Sequence, residues 1–236
     1  LRKELLDFFG RDKKSSLSLS QLCQILTSTK KDELIGFLKN RFKVVNYNNE
    51  YDGIERVNIK SIFTTNIDDL IYNIYENSNN YYINDIAIRG ATINDKNAID
   101  YIALHGCVRY DNERFDFSPV ELSSSFERDK DKWFGYIDRI KGTPTLYWGY
   151  SVSDAGVLQS LSKETTGGKE RAPAWIVLRN DDSEAREYYE SLGFQIIIAE
   201  TNQLLNYFKQ LRTVKKADKK STRVSYTFKE YTVPDK

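Results

Sequence analysis

The residues able to do chemistry gather in four short stretches, each following an apolar, strand-like run. The first is Thr64-Thr65-Asn66-Ile67-Asp68-Asp69, after Ile59, Ile62 and Phe63. The second is His105-Gly106, after Tyr101-Ile102-Ala103-Leu104. The third is Gly149-Tyr150-Ser151-Val152-Ser153-Asp154, after TLYW, and the fourth is Arg179-Asn180, after WIVL. Imidazole is the side chain whose ordinary pKa lets it exchange protons near neutral pH, and His105 is the only histidine in the chain. Gly106 beside it would let a ligand approach the backbone closely. A glycine turn with a serine hydroxyl leading into a helix suits a phosphate, because the helix start offers free N–H groups and the positive end of a dipole. The same residues also fit plainer roles: Asn66, Asp68, Asp69, Ser151 and Ser153 are good helix caps, and a histidine at a strand end serves as a hydrogen-bonded structural group.

Positioning these stretches requires strands that end at a common edge. Apolar strands alternate with helical patterns from Val57 onward, which calls for a parallel sheet covered on both faces. In such a sheet ligands sit beyond the carboxyl ends of the strands. The spacing predicts helices after Asp68 (Leu70, Ile71, Ile74, Tyr75), over 119–141 between Pro119 and Gly142, around Val157, Leu158 and Leu161, over 183–192 before Gly193, and through Leu204, Leu205, Phe208 and Leu211. Further strands are expected over 82–88 and 194–198. Residues 1–45 read as three helices, with Gly10 as a stop and helical stripes at Leu19, Leu22, Cys23, Leu26 and at Leu34, Phe37, Leu38, Phe42. Residues 46–53 read as a polar loop and TTGGK (165–169) as a flexible one.

Composition narrows the class. The chain has 236 residues, enough for one α/β domain with a full core, and 40% hydrophobic with 29% charged residues is a soluble globular balance. No apolar run reaches the ~20 residues that span a bilayer, and the charged start LRKELLDFFG does not read as a signal peptide. Two separated cysteines, Cys23 and Cys107, give no C-x-x-C pair and suggest a reducing compartment, so a cytoplasmic location is expected. A net charge of +1 gives no general reason to bind nucleic acid or anionic membrane. The local exception, Arg212, Lys215, Lys216, Lys219, Lys220 and Arg223, reads as a basic linker (213–236) or the start of a following domain. A start at Leu1 and the absence of Met lead us to expect a piece of a longer protein.

Taken together, the motifs resemble the sirtuins. TTNID (64–68) is similar to the sirtuin Q-N-I-D segment, with Thr65 where sirtuins carry Gln; ALHG (103–106) is similar to their histidine motif and GYS (149–151) to their G-x-S turn. The turn at Asn180 resembles the segment whose Asn meets adenosine. The resemblance covers most of 59–198. TTN-x-D, a lone HG, and GYS followed by Asp154 are closer still to the bacterial sirtuin-like domains of antiphage defence systems, which hydrolyse NAD. The resemblance implies a Rossmann-like, doubly wound parallel sheet over 1–212 with a helical N-terminal insertion. Two family features are not found: the four-cysteine zinc module, which argues against a zinc-bearing deacylase, and the first strand with its Gly-Ala-Gly loop, expected upstream of Leu1 or absent.

The roles implied are Asn66 on ribose and water, His105 as base, and Asp68 on the nicotinamide carboxamide. Thr65, Gly149, Ser151, Asp154 and Asn180 would complete the cofactor-binding set, with Asp154 equally able to cap its own helix. NAD would be the substrate and no metal is expected. The alternatives are a non-catalytic module that binds NAD or ADP-ribose, and a zinc-less NAD-dependent deacylase. Expected partners are a second copy of the chain or a sensor domain or subunit that triggers activity, with nucleic acid reached only through such a partner and no membrane.

Overall fold

The computed structural model describes residues 1–110, 115, 116, 118, 120, 121, 124, 139, 140, 142–152, 157 and 172–211. The helix expected over 119–141 falls largely outside them, as do Asp154, most of the helix around Val157, the TTGGK loop and the basic tail.

Three helices open the chain: α1 (Arg2–Phe8), α2 (Leu19–Thr29) and α3 (Lys31–Phe42). Ser18 and Gln21 close a reciprocal capping box at the start of α2, which satisfies two backbone donors that the helix leaves free. The stripe Leu22, Cys23 and Leu26 is fully buried, together with Leu5, Leu6 and Leu38. Ile67 and Phe115 belong to the same cluster, so the N-terminal helices pack onto the first of the four polar turns. The polar stretch after α3 is not a plain loop. Asn48 accepts the Glu50 N–H at 3.0 Å and starts a 3-10 helix over Asn49–Arg56. That short helix lies close against the last described helix, Thr201–Gln210, where a side-chain carbon added at Gly53 would lie 2.8 Å from the Leu205 carbonyl oxygen.

Strand β1 (Ser61–Thr64) leads through the TTNIDD turn into α4 (Leu70–Glu76). β2 (Tyr82–Asp85) stops earlier than its apolar pattern suggests, because Asp85 turns its carboxylate onto the Ala87 and Ile88 N–H groups and starts α5 (Ile86–Arg89). β3 (Ala98–Ala103) starts earlier than its apolar run. Asp100 breaks the apolar pattern but is buried, accepting from Asn84 on the neighbouring strand at 2.6 Å and paired with Arg139 at 2.6 Å. β4 (Thr145–Trp148), β5 (Ala174–Leu178), α6 (Ser183–Ser191), β6 (Gln195–Ile198) and α7 (Thr201–Gln210) complete the described elements.

Every described strand pair is parallel. The order is β1-β3-β2 in one three-stranded sheet and β4-β5-β6 in a second. The fold is thus mixed α/β with parallel sheets, consistent with a Rossmann-like architecture. The alternation of strands and helices predicts a single continuous sheet; among the described residues no ladder joins β1 to β4. Side chains connect the halves instead. Ile62, Ile99, Trp148, Val177 and Phe208 share one core cluster, with the Trp148 and Phe208 rings edge-to-face at 6.2 Å.

Because Leu22 and Ile67 lie in one cluster, the helical layer and the sheet are expected to unfold together. Leu22→Ala should remove about 2–5 kcal/mol of stability, as for other fully buried leucines, and urea denaturation should still show one transition. Two separated transitions would mean that the helices form an independent unit.

Candidate functional site

β1 and β3 are in register from Ser61 opposite Asp100 to Thr64 opposite Ala103, and Leu104 donates its N–H to the Thr64 carbonyl at 2.8 Å. Asn66 and His105 each lie two residues beyond the last registered pair, on neighbouring strands. The Thr64 hydroxyl accepts the Asn66 N–H at 2.9 Å, which bends the chain out of the strand direction there. Asn66 is exposed, while Thr65, Asp68 and His105 are half-buried.

Beyond His105 the chain curls back over this turn. Gly106 has φ +94°, a conformation that β-carbon-bearing residues rarely adopt. Val108 then donates its N–H to Ile67 at 2.8 Å, and the Cys107 thiol lies 3.7 Å from the Asp68 carbonyl. Burial pushes the Cys107 thiol up to about 11, so it stays protonated at neutral pH and contributes packing rather than nucleophilic chemistry.

The two aspartates divide their work differently from simple capping. Asp68 accepts the Leu70 N–H at 3.1 Å. Burial raises its carboxyl above the ordinary range, against that hydrogen bond and with the help of the neighbouring Asp69 charge. Asp69 occupies the N-cap position of α4, where its carbonyl accepts the Asn73 N–H at 3.1 Å but its side chain makes no cap hydrogen bond. Its carboxylate, nearly buried, instead accepts the Val44 N–H at 2.7 Å and faces Arg109 Nε at 3.3 Å.

Gly149 and Ser151 follow β4, and Asn180 follows β5. All three are exposed. Gly149 has φ +65° with open space around it, so the turn itself is what requires a glycine. Val152 also has a positive φ, +54°, and is fully buried. A β-branched residue in that region is a strained outlier, of the sort that clusters at functional turns. Tyr189 on α6 donates its hydroxyl to the Ser151 carbonyl at 3.2 Å. Leu104, beside His105, packs against the cluster that contains Tyr147 and Val152, which links the β3 end to the β4 turn. Asp154 lies outside the described residues. An open cavity of about 540 Å³ lined by Asn49, Asp52, Glu55, Arg56, Asn80 and Lys209 touches none of these turns.

The family model of the SIR2-like domain matches residues 60–197, more than half of the chain. The chain belongs to the SIR2-like domain family. No curated protein matches it. SIR2-like domains use NAD, and the family includes NAD-dependent enzymes. The matched span holds all four polar turns of this SIR2-like chain, from Thr64 to Asn180. Among its described residues no group of three or more His, Cys, Asp or Glu side chains could hold a metal ion, and no helix is long and apolar enough to cross a membrane. Sequence reasoning missed Arg109, which carries no periodic or motif signal; its only cue was nearness to His105.

The raised Asp68 carboxyl gives a pH test. Its protonated form is favoured by folding, so the contribution is fully present below the unfolded pKa and is lost as pH rises through the higher folded value. Asp68→Asn mimics the protonated carboxyl and keeps an acceptor for the Leu70 N–H. The melting temperature of the variant relative to wild type should therefore be higher at pH 7 than below about pH 4, the ordinary aspartate range. A difference that does not grow with pH would contradict the assignment.

Proposed function

We propose that this SIR2-like chain is an NAD hydrolase that releases nicotinamide and ADP-ribose, working as the effector of a bacterial antiphage abortive-infection system. The observation that carries the reading is the β1–β3 register. It sets Asn66 and His105 two residues past a shared pair, on strands whose axes run ~4.8 Å apart. The donor set suits the substrate: exposed amides at Asn66 and Asn180, an exposed hydroxyl at Ser151 and a half-buried carboxylate at Asp68 match ribose hydroxyls, phosphate and a carboxamide.

Nicotinamide is already cationic in NAD and departs neutral, so the cleavage needs no acid on the leaving group. It needs a held ribose, a positioned water and a base. Asn66 holds the ribose and the water, His105 takes the proton from that water, and Asp68 accepts from the carboxamide. Thr65, Gly149, Ser151, Asp154 and Asn180 serve the phosphate and adenosine half. An enzyme that destroys NAD must be silent until triggered, which supports control by self-association or by a sensor domain or subunit, in the cytoplasm.

The alternative reading is binding of NAD or ADP-ribose without turnover. Free nicotinamide separates the two readings. With the full chain and NAD, His105→Ala and Asn66→Ala should each lower nicotinamide release about 10²- to 10⁴-fold while leaving the melting temperature close to wild type. Wild-type turnover in either variant would remove that residue from the mechanism.

A further inference from the structure

Arg109 lies four residues past His105 and reaches back to the helix that follows Asn66 and Asp68. Its Nε faces the Asp69 carboxylate at 3.3 Å, and its Nη2 donates to the Asn73 side-chain oxygen at 3.0 Å. Its guanidinium carbon sits 4.6 Å from the centroid of the Tyr72 ring, and the Tyr72 hydroxyl is in turn held by Asp85. Asp69 and Asn73 have a second partner in common. Asp69 accepts the Val44 N–H at 2.7 Å, and Asn73 donates to the Val44 carbonyl at 3.2 Å. One guanidinium thus ties together the His105 segment, the first turn of α4 and the chain leaving α3.

We infer that Arg109 and Asp69 are positioning residues: their pair clamps the 104–110 segment onto the 64–69 turn and so fixes how far His105 stands from Asn66. This rests on the hydrolase reading above. The segment is anchored at its start by Leu104 N–H on Thr64 and further along by Val108 N–H on Ile67, both at 2.8 Å. Between those bonds the His105 carbonyl accepts the Asp116 N–H at 3.1 Å, and Gly106 supplies a backbone that tolerates a wide range of shapes. Neither bond restrains the chain beyond Val108; the Arg109 side chain and the buried Tyr110 do. The Asp69 side chain is only 6% exposed, whereas both partners of the Arg41–Glu4 pair on the surface are about half exposed. Removing Arg109 leaves a buried carboxylate with the Val44 N–H but no cation, so its second oxygen must find water or move, and either response shifts the turn that bears Asn66. Displacements of about 1 Å at a reacting group are worth about 10²-fold in rate.

The test compares the full-length wild type with Arg109→Ala, Arg109→Lys, Asp69→Asn and, as a control, Arg41→Ala, below all melting transitions. Backbone hydrogen exchange of 104–110 and steady-state nicotinamide release are read on the same samples. Arg109→Ala should speed exchange of the Val108 amide about tenfold or more. It should also lower kcat about 10- to 10²-fold with KM nearly unchanged, because ground-state binding survives while alignment does not. Arg109→Lys restores a cation without the fork that reaches both Asp69 and Asn73, so it should recover part of the loss. Asp69→Asn, which keeps an acceptor for Val44, should resemble Arg109→Ala, and Arg41→Ala should match wild type. Unchanged exchange in Arg109→Ala overturns the clamp, and faster exchange with unchanged kcat overturns its positioning of His105. A loss of kcat equal in Arg41→Ala would reduce Arg109 to a general stability effect. If wild type and His105→Ala release nicotinamide equally, the hydrolase reading falls and the catalytic part of this inference falls with it; the exchange result still decides whether the clamp exists.

Discussion

The hydrogen bond from Leu104 N–H to the Thr64 carbonyl closes the parallel ladder between β1 and β3, and the geometry of the polar edge depends on it. Side chains in a strand alternate faces, so a shift of one residue in this register would turn both adjoining segments over. What holds the register is burial. Tyr101 and Ile102 are inaccessible, and Ile62 packs into two clusters at once. Slipping β1 by one position would bring Ser61 or Phe63 to the places that fit Ile62. The polar edge is therefore a by-product of apolar packing a few residues earlier in each strand.

The buried carboxylates near the edge are stabilised mainly by other residues of the chain rather than by solvent. Asp85 serves as a cap for α5 and a partner for Tyr72, Asp100 is shared between Asn84 and Arg139, and Asp69 is shared between Val44 and Arg109. Burying a carboxylate costs free energy unless partners replace the water it leaves. Each of these three has a cation or a set of N–H donors, and each joins segments far apart in the chain. The tyrosines beside them, half-buried Tyr72 and buried Tyr101 and Tyr110, have hydroxyls pushed well above the ordinary range, chiefly by burial, so they remain neutral at any physiological pH.

Much of this arrangement was legible in the residues themselves. β4, β5 and β6 stood out as short β-branched or aromatic runs between turn signals, α2, α3 and α7 by their apolar periods, and α6 by the glycine that ends it. The polar turns after β1, β3, β4 and β5 could be placed because each followed such a run. What escaped had a common cause: a polar residue whose partner lies far away in sequence. Asp100 hid the first half of β3 because nothing local reveals Arg139 or Asn84. Asp85 ended β2 by capping a helix too short to show a period. Asp69 read as a cap because its real partners, Val44 and Arg109, lie 25 and 40 residues away. The division of the strands into two sheets was equally hidden, since apolar runs specify strands but not which of them pair.

Left-handed backbone geometry at a valine, as Val152 has it, is not something the local chain prefers, and no neighbouring glycine takes its place there. Its side chain is inaccessible within the cluster of Tyr147, Ile176 and Phe194, so contacts from three separate strands or turns keep it where it is. The bend carrying Ser151 is consequently imposed from outside rather than encoded within it. Such a bend has no stable shape of its own, and it exists only as long as the aromatic layer beneath it stays assembled.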